Sequence, residues 1–259
     1  MTLTDLVSSS SAVASSLSSS LTNSLSSGKA ATQAANSVQA KSSVLQKAET
    51  RIQAAVDQTT TRLSTMGRLK SAVSEVQLAS RALHSLTTTA SGASMTLATS
   101  SLVTAYNNAI KTARVAAAVT GAPSESASAQ RASRELLQSV AADATTLAAL
   151  KKLGISMLPD GTLALDSKVL DAAQVVDPAS ALAGLGKLGS NVDKAATQSL
   201  ESKSNQLSLG SALSSLHLRA STLKAQQASM ATLTQSMTTA AQNSSNSGFG
   251  SYGLSAYLK

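Results

Sequence analysis

Apolar residues recur at intervals of three and four along two long stretches of the chain. The first stretch covers residues 40–86 and the second covers residues 191–242. Alternating intervals of three and four place the apolar side chains on one helix face, as in a coiled-coil seam. Such a long helix needs a partner along that face, so the pattern predicts two long helices that pack antiparallel on each other.

The second seam is the more regular of the two, because its intervals alternate four and three without a fault. Its large apolar members are Leu209, Leu213, Leu216, Leu223, Met230 and Met237. The first seam consists of Leu45, Ala48, Ile52, Val56, Thr59, Leu63, Met66, Leu69, Val73, Val76, Ser80 and Leu83. Two intervals of three follow one another between Leu63 and Leu69, and Gly67 lies inside this break.

Shorter helical patterns lie between the two long stretches. Residues 101–119 and 124–152 predict two inner helices, separated by Gly121-Ala122-Pro123. Residues 167–189 predict short helices, since Gly184, Gly186 and Gly189 punctuate the end of this stretch. The helical part of the chain is therefore expected to cover residues 39–242 as one domain.

The pattern changes at residues 153–166, where two short apolar runs flank Pro159-Asp160-Gly161. Pro presets φ for the first turn position, Asp can accept a hydrogen bond from the nearby backbone, and Gly takes the positive φ. This stretch predicts a small β-hairpin with strands near residues 155–165. The fold class is therefore mainly α, an antiparallel coiled coil or helical bundle with one hairpin.

Two aspartates after the hairpin have the positions of helix caps. The Asp166 carboxylate can accept from the free amides of a short helix that begins at Ser167 and ends near Val176. Asp177 repeats the pattern and is followed by Pro178, a residue favoured at the first helical position. Turn and cap roles account for the acidic residues of this stretch.

Composition limits the kind of core and predicts the behaviour of the two ends. Aromatic residues make up 2% of the chain and Cys is absent, so thin interfaces of small and aliphatic side chains fit better than a thick core. Residues 1–38 are rich in serine, a poor helix former, and are expected to be flexible. Residues 243–259 are rich in Ser and Gly and are expected to form a flexible tail.

The charge of +8 does not predict nucleic-acid binding. The basic residues are spread singly, apart from Lys151-Lys152, and aromatic residues that could stack on bases are scarce. No run of about 20 apolar residues predicts a membrane span, and the N-terminus lacks the pattern of a secretory signal. We therefore expect no nucleic-acid partner and no membrane insertion, and any export would use an uncleaved N-terminus.

Candidate catalytic and metal-binding residues do not form a recognisable constellation. His84 and His217 each lie alone in a predicted helix, without a second His one turn away. Asp160, Asp166 and Asp171 lack the ligand spacing and terminal Glu of a calcium loop. The glycine-rich GLGKLG stretch at residues 184–189 lacks the preceding strand of a phosphate-binding motif. The sequence thus predicts a non-enzyme with no catalytic, cofactor or metal site.

Four stretches, in order, resemble the flagellar filament-capping protein family (FliD, hook-associated protein 2). LSTMGRLKSAVSEVQLASRAL at 63–83 is similar to the family's N-terminal helix, and SLVTAYNNAI at 101–110 is similar to its "FV.AYN.L" helix start. LKKLGISMLPDGTLALDSKVLDAAQVVDP at 150–178 resembles "L..LGI..D.DGTL.LD...LDAAL..DP" almost position by position. LKAQQASMATLTQSM at 223–237 is similar to the family's closing run. Together the matches cover residues 45–240.

The resemblance extends to the helical leg of that family and omits its head. In the family, large β-rich head domains lie between the first two of these motifs, whereas here only residues 87–100 fill the gap. The heads form the plate of the oligomeric cap, while the legs and mobile termini contact the filament. The resemblance therefore implies a headless, leg-like protein.

The resemblance also implies a function and its partners. We expect a structural flagellar protein at the filament tip that aids flagellin assembly, exported uncleaved by the flagellar type III route. Its expected partners are further copies of itself in a ring-like homo-oligomer, and flagellin or hook-associated proteins. The alternative is a cytosolic helix-binding module that sequesters flagellar proteins or interferes with cap assembly, capturing a partner helix on the 209–237 seam.

Overall fold

The structure of this protein is a computed structural model that describes residues 31–119, 123–141, 144–201 and 208–249. Side chains are described for residues 43–118, 123–141, 144–201 and 208–240. Within these ranges the chain forms seven helices and one two-stranded antiparallel sheet. The predicted mainly α fold with a small β-hairpin is confirmed at this level. Of the segments expected to be flexible, 1–38 and 243–259, residues 1–30 and 250–259 lie outside the described residues, whereas residues 31–38 and 243–249 are helical.

The helices and strands follow one another along the chain without a repeat. In chain order they are α1 (Ala31–His84), α2 (Gly92–Val119), α3 (Pro123–Val140), α4 (Ala144–Lys152), β1 (Ile155–Met157), β2 (Leu163–Leu165), α5 (Ser167–Val176), α6 (Pro178–Leu200) and α7 (Leu209–Phe249).

Two helices begin about nine residues earlier than the sequence pattern predicts. α1 begins at Ala31, inside the segment expected to be flexible, where alanines with high helix propensity follow the serine-rich start. α2 begins at Gly92 and includes nine of the fourteen residues of the polar stretch 87–100. The Ser91 hydroxyl accepts a hydrogen bond from the Ser94 amide at 3.2 Å and so acts as an N-cap for this earlier start.

The helix predicted over residues 191–242 is two helices in the structure. α6 begins at Pro178, passes through all three glycines and ends at Leu200. α7 begins at Leu209, where the Ser208 hydroxyl accepts from the Ser211 amide at 3.2 Å. The residues from Glu201 to Ser208 are polar apart from Leu207, so the apolar pattern that would favour one continuous helix is interrupted there. The inner helix predicted over 124–152 is likewise divided, into α3 and α4.

The described chain divides into two compact units. Of the described residues, the smaller unit comprises 31–55 and 223–249, and the larger comprises those between 56 and 222. In the smaller unit, Leu45, Ile52 and Leu223 are buried. A hydrogen bond of 2.7 Å from Gln227 Nε2 to Gln53 Oε1 joins α7 to α1 within this unit.

The larger unit contains one continuous hydrophobic core. α2 packs against α3, β2 and α5, while α3 packs against α6. Tyr106 of α2 is the largest fully buried side chain, and its hydroxyl donates to the Leu136 carbonyl of α3 at 3.4 Å. Burial raises the pKa of the Tyr106 phenol. The rest of the core consists of aliphatic and small side chains, which lets the helices approach closely.

α1 and α6 lie antiparallel in the larger unit. Gln77 Nε2 donates to Thr197 Oγ1 at 2.7 Å, and Arg81 Nε lies 2.9 Å from Asp193 Oδ1. Later residues of α1 therefore contact earlier residues of α6, as in an antiparallel helix pair. At Gly189 the two backbones nearly touch, since a Cβ there would lie 2.7 Å from the Ser80 carbonyl oxygen. Only glycine permits this approach, because any larger residue places a carbon against the α1 backbone.

The predicted seam positions of α1 face inward along the described length of that helix. Every one of the twelve is buried or half-buried, including Thr59 and Ser80, which are polar. On α7, Leu209, Leu213, Leu216 and Leu223 are buried, whereas Met230 and Met237 are half-buried. The burial agrees with the helical period, while a continuous coiled coil between the two seams stays a prediction.

Candidate functional site

The stretch Leu153–Pro178, here called the hairpin connector, is the candidate functional site because all of the predicted turn and cap residues lie in it. Ile155 pairs with Leu165 and Met157 pairs with Leu163 across the hairpin. The turn is closed by a hydrogen bond of 2.8 Å from the Gly161 amide to the Leu158 carbonyl. Gly161 has φ of 71°, the positive value that the Pro-Asp-Gly sequence predicts.

Asp160 stabilises the turn through its side chain. Its Oδ1 accepts from the Thr162 amide at 3.0 Å and from the Thr162 hydroxyl at 2.5 Å. The bond from the Thr162 hydroxyl has the largest effect and, with the bond from the Thr162 amide, holds the pKa of the Asp160 carboxyl below its usual range. The charges of Arg114 and Lys111 lower this pKa further. Arg114 of α2 also donates to the Asp160 backbone carbonyl, so the turn is attached to α2.

Asn107 of α2 binds the edge of strand β2. Its Nδ2 donates to the Leu163 carbonyl at 2.8 Å, and its Oδ1 accepts from the Leu163 amide at 2.7 Å. The side-chain amide of Asn107 thus satisfies the backbone carbonyl and the backbone amide of Leu163, as a neighbouring strand would. Asn107 belongs to the Ala105-Tyr106-Asn107 part of the "FV.AYN.L" resemblance, although the spacing of that motif did not predict this role.

We expect Asn107→Ala to lower the free energy of unfolding by about 1–3 kcal/mol. The substitution removes two hydrogen bonds and leaves two half-buried backbone groups of Leu163 without their partner, at roughly 0.5–1.5 kcal/mol each. Urea-induced unfolding followed by circular dichroism measures the change. Asn108→Ala is the matched control, because Asn108 is exposed and makes a bond of only 3.5 Å, to Glu75. Equal stability of the two variants would contradict the role of Asn107.

Gly154 is a structural residue that the sequence analysis did not single out. It ends α4 with φ of 74°, and its amide donates to the Lys151 carbonyl at 3.1 Å. Its own carbonyl accepts from the Asp166 amide at 2.8 Å and closes the open end of the hairpin. The available signal was its position directly after the basic last turn of α4, where a C-terminal glycine is favoured.

Asp166 and Asp177 lie immediately before two consecutive helices and cap them. Asp166 Oδ1 accepts from the amides of Lys168 at 3.0 Å and Val169 at 3.2 Å, at the start of α5. Asp177 Oδ1 accepts from the Ser180 amide at 2.9 Å, and Pro178 is at the start of α6. Hydrogen bonds from the side chain and backbone of Ser180 hold the pKa of Asp177 below its usual range.

These lowered pKa values predict the sign of an acid effect on stability. A carboxyl whose pKa is lower in the folded chain stabilises it above the unfolded pKa of about 3.9. That contribution is lost as the pH falls through the folded pKa. In Asp160→Asn the amide oxygen still accepts from Thr162 but no longer titrates. We therefore expect the variant to lose less stability than the wild type between about pH 5 and pH 2.

Urea unfolding at a series of pH values measures this difference. The Asp160→Asn/Asp177→Asn double variant should have a flatter profile than either single variant. Parallel profiles for the wild type and the double variant would contradict the assignment.

The two histidines lie on different helices, α1 and α7. His84 Nδ1 lies 3.2 Å from the Gly186 carbonyl, and His217 is exposed on α7. Within the described ranges, no group of three or more His, Cys, Asp or Glu residues could hold a metal ion. Nor does that part of the chain contain a helix both long and apolar enough to cross a bilayer.

Comparisons of the chain with protein-family models, with curated proteins and with solved structures give no match.

Proposed function

We propose that this protein is a structural component of the bacterial flagellum that resembles a filament cap without its head domains. It assembles at the filament tip as a ring-like homo-oligomer, contacts flagellin or hook-associated proteins and aids flagellin assembly. It reaches the cell exterior by the flagellar type III route without cleavage of a signal. It performs no catalysis and needs no cofactor.

The observation that carries the proposal is the resemblance of residues 150–178 to the family pattern, together with what those residues do. Gly154 ends a helix, Gly161 completes the turn, and Asp166 and Asp177 cap the next two helices. The motif is thus a complete structural unit rather than a scatter of identities. Because these residues form one structural unit, they support the resemblance, from which the architecture and the function are inferred.

The proposed architecture includes a long antiparallel coiled coil between residues 40–86 and 191–242. Two observations support it, one in each compact unit. In the larger unit, α1 and α6 run antiparallel through the Gln77–Thr197 and Arg81–Asp193 contacts. In the smaller unit, Gln53 of α1 bonds to Gln227 of α7.

Deletion of the gene in its own host tests the function. We expect shorter filaments and flagellin released into the medium, both restored when the full chain is supplied. Filaments of normal length with undisturbed flagellin secretion would contradict the proposal. Cryo-electron microscopy of filament tips that carry the labelled protein then locates it, and its absence from the tip would exclude a cap-like position.

A second candidate function is a cytosolic module that binds a helix of a flagellar protein and either sequesters that protein or interferes with cap assembly. The partial exposure of the later seam favours it, because Met230 and Met237 are half-buried whereas Leu209 and Leu216 are buried. Met adapts readily to different partner surfaces. Cell fractionation separates the two functions: protein in sheared filaments supports the cap-like role, and strictly cytosolic protein supports the binding module.

A further inference from the structure

An open groove of about 310 Å³ lies between α2 and α3 and carries two arginines. It is called here the arginine groove, and its lining residues are Ala113, Arg114, Ala117, Gln130, Ser133 and Arg134. Ala113 is buried and Ala117 is half-buried, so small side chains form the floor. Arg114 lies on one wall and Arg134 on the other, since they belong to different helices.

The guanidinium groups of this groove retain hydrogen-bonding capacity. The Arg134 side chain is exposed, and its Nε makes a long bond of 3.4 Å to the Gln130 carbonyl of its own helix. Arg114 donates to the Asp160 backbone carbonyl, while the Asp160 carboxylate is 4.0 Å from Arg114 Nη1. Both guanidinium groups can therefore bind a further acceptor without breaking a short ion pair.

The surroundings of the groove are positively charged. α2 contains Lys111 and Arg114 and has no Asp or Glu along its length. On α3, the carboxylate of Glu135 lies 2.6 Å from Arg131 Nε and accepts from the Ser199 hydroxyl at 2.6 Å. Its negative charge is thus paired with Arg131. The other acidic residue of α3, Glu125, is buried and accepts from the Ser124 hydroxyl at 3.0 Å. Asp160 lies next to the groove, where it interacts with both Arg114 and Lys111. The field at the groove therefore favours an anionic partner.

We propose that the arginine groove binds an acidic amphipathic helix of a partner protein. An alanine floor between two helices allows a third helix to approach closely, with its apolar face inward. Glutamates at the edges of that face then meet Arg114 and Arg134, whose planar groups pair well with carboxylates. This interaction goes beyond the flagellar role and does not depend on it.

The shape of the groove favours a protein segment over a small molecule. Small-molecule sites enclose most of their ligand, whereas this groove is open along one side and has a polar rim. The volume is at the low end for such sites. A helix laid along the groove would cover the alanine floor and still present its outer face to solvent. Its short contact length predicts a weak, transient complex.

A synthetic amphipathic peptide of about 20 residues, long enough to form a helix, provides the test. It carries glutamates one turn apart beside an apolar face, and a second peptide carries lysines at those positions. Binding of the fluorescently labelled peptides is measured by anisotropy with the full chain. Amide chemical shifts in nuclear magnetic resonance spectra locate the contact on the protein.

Three variants make the test specific. Arg134→Glu reverses a groove charge, Ala117→Leu fills the floor without a charge change, and Lys187→Glu makes the same charge reversal on the exposed face of α6. We expect the acidic peptide to bind the wild type and Lys187→Glu alike. Arg134→Glu and Ala117→Leu should each weaken binding about tenfold, in line with the loss of a complementary charge or of the docking space. Circular dichroism verifies that all variants are folded.

Several results would overturn the proposal. Equal binding of Arg134→Glu and Lys187→Glu would show a non-specific charge effect. Binding of the lysine peptide as tightly as the glutamate peptide would exclude charge complementarity. Displacement of the acidic peptide by millimolar inorganic phosphate would indicate a site for small anions, and shift changes outside α2 and α3 would place the contact elsewhere.

Discussion

Replacement of Gly189 by Ala is expected to destabilise the larger unit by about 1–3 kcal/mol, the usual range for overpacking a tight contact. The added Cβ would lie 2.7 Å from the Ser80 carbonyl oxygen and 3.0 Å from the His84 amide nitrogen. Both neighbours are backbone atoms of α1, so neither can move aside without a shift of the whole helix. Thermal and urea unfolding of the full chain measure the loss.

Gly186→Ala is the matched control on the same helix, three residues earlier. No heavy atom lies within 4 Å of a Cβ at Gly186, so the substitution adds only the better helix propensity of Ala. We expect it to stabilise the protein by about 0.5–1 kcal/mol. The two alanine variants should therefore move in opposite directions, and a shift in the same direction would contradict the close α1–α6 packing.

Replacement of Gly154 by Ala is expected to cost about 3 kcal/mol and to disorder the hairpin connector. The positive φ alone costs a side-chain-bearing residue roughly 1–2 kcal/mol. In addition, the new Cβ would collide with the Asp166 carbonyl oxygen and lie 3.2 Å from the Leu170 amide nitrogen. Hydrogen exchange of the amides at residues 153–170 gives the local readout, and urea unfolding gives the global one.

Gly161→Ala separates the backbone cost from the collision. Gly161 has nearly the same φ, but its Cβ would approach only the side chain of Leu137, whose nearest atom is Cδ2 at 2.5 Å. That atom is the end of a flexible side chain and can rotate away. We expect a loss of about 1–2 kcal/mol here. Equal losses of stability in Gly161→Ala and Gly154→Ala would show that the collision with the start of α5 does not add to the cost of Gly154→Ala.

Local rules predicted the hairpin connector well because its signals act over a few residues. The turn at Asp160 and Gly161 and the caps at Asp166 and Asp177 each depend on residues two or three positions away. The helix α5 has the bounds that these signals predict, Ser167–Val176. Periodicity likewise predicted which face of α1 is inward, because burial repeats with the helical turn.

Helix ends and long-range contacts were harder to predict. Gly184, Gly186 and Gly189 looked like punctuation, but the structure places all three inside α6, where Gly189 allows α1 to approach. Glycine has both roles, and only the packing partner decides between them. The bond between Asn107 and Leu163 spans 56 positions, so no local pattern could reveal it. The arginine groove was missed for the same reason, since its walls come from two helices.

Asp166 has a further consequence for how the chain opens. Its amide closes the hairpin by donating to Gly154, while its carboxylate caps α5 through Lys168 and Val169. One residue thus belongs to two elements, so unfolding of either removes a bond from the other. We expect the end of α4, the hairpin and α5 to exchange their amide hydrogens as one cooperative unit. A force applied to α6 would therefore reach α4 through this unit, without first separating the hairpin from α5.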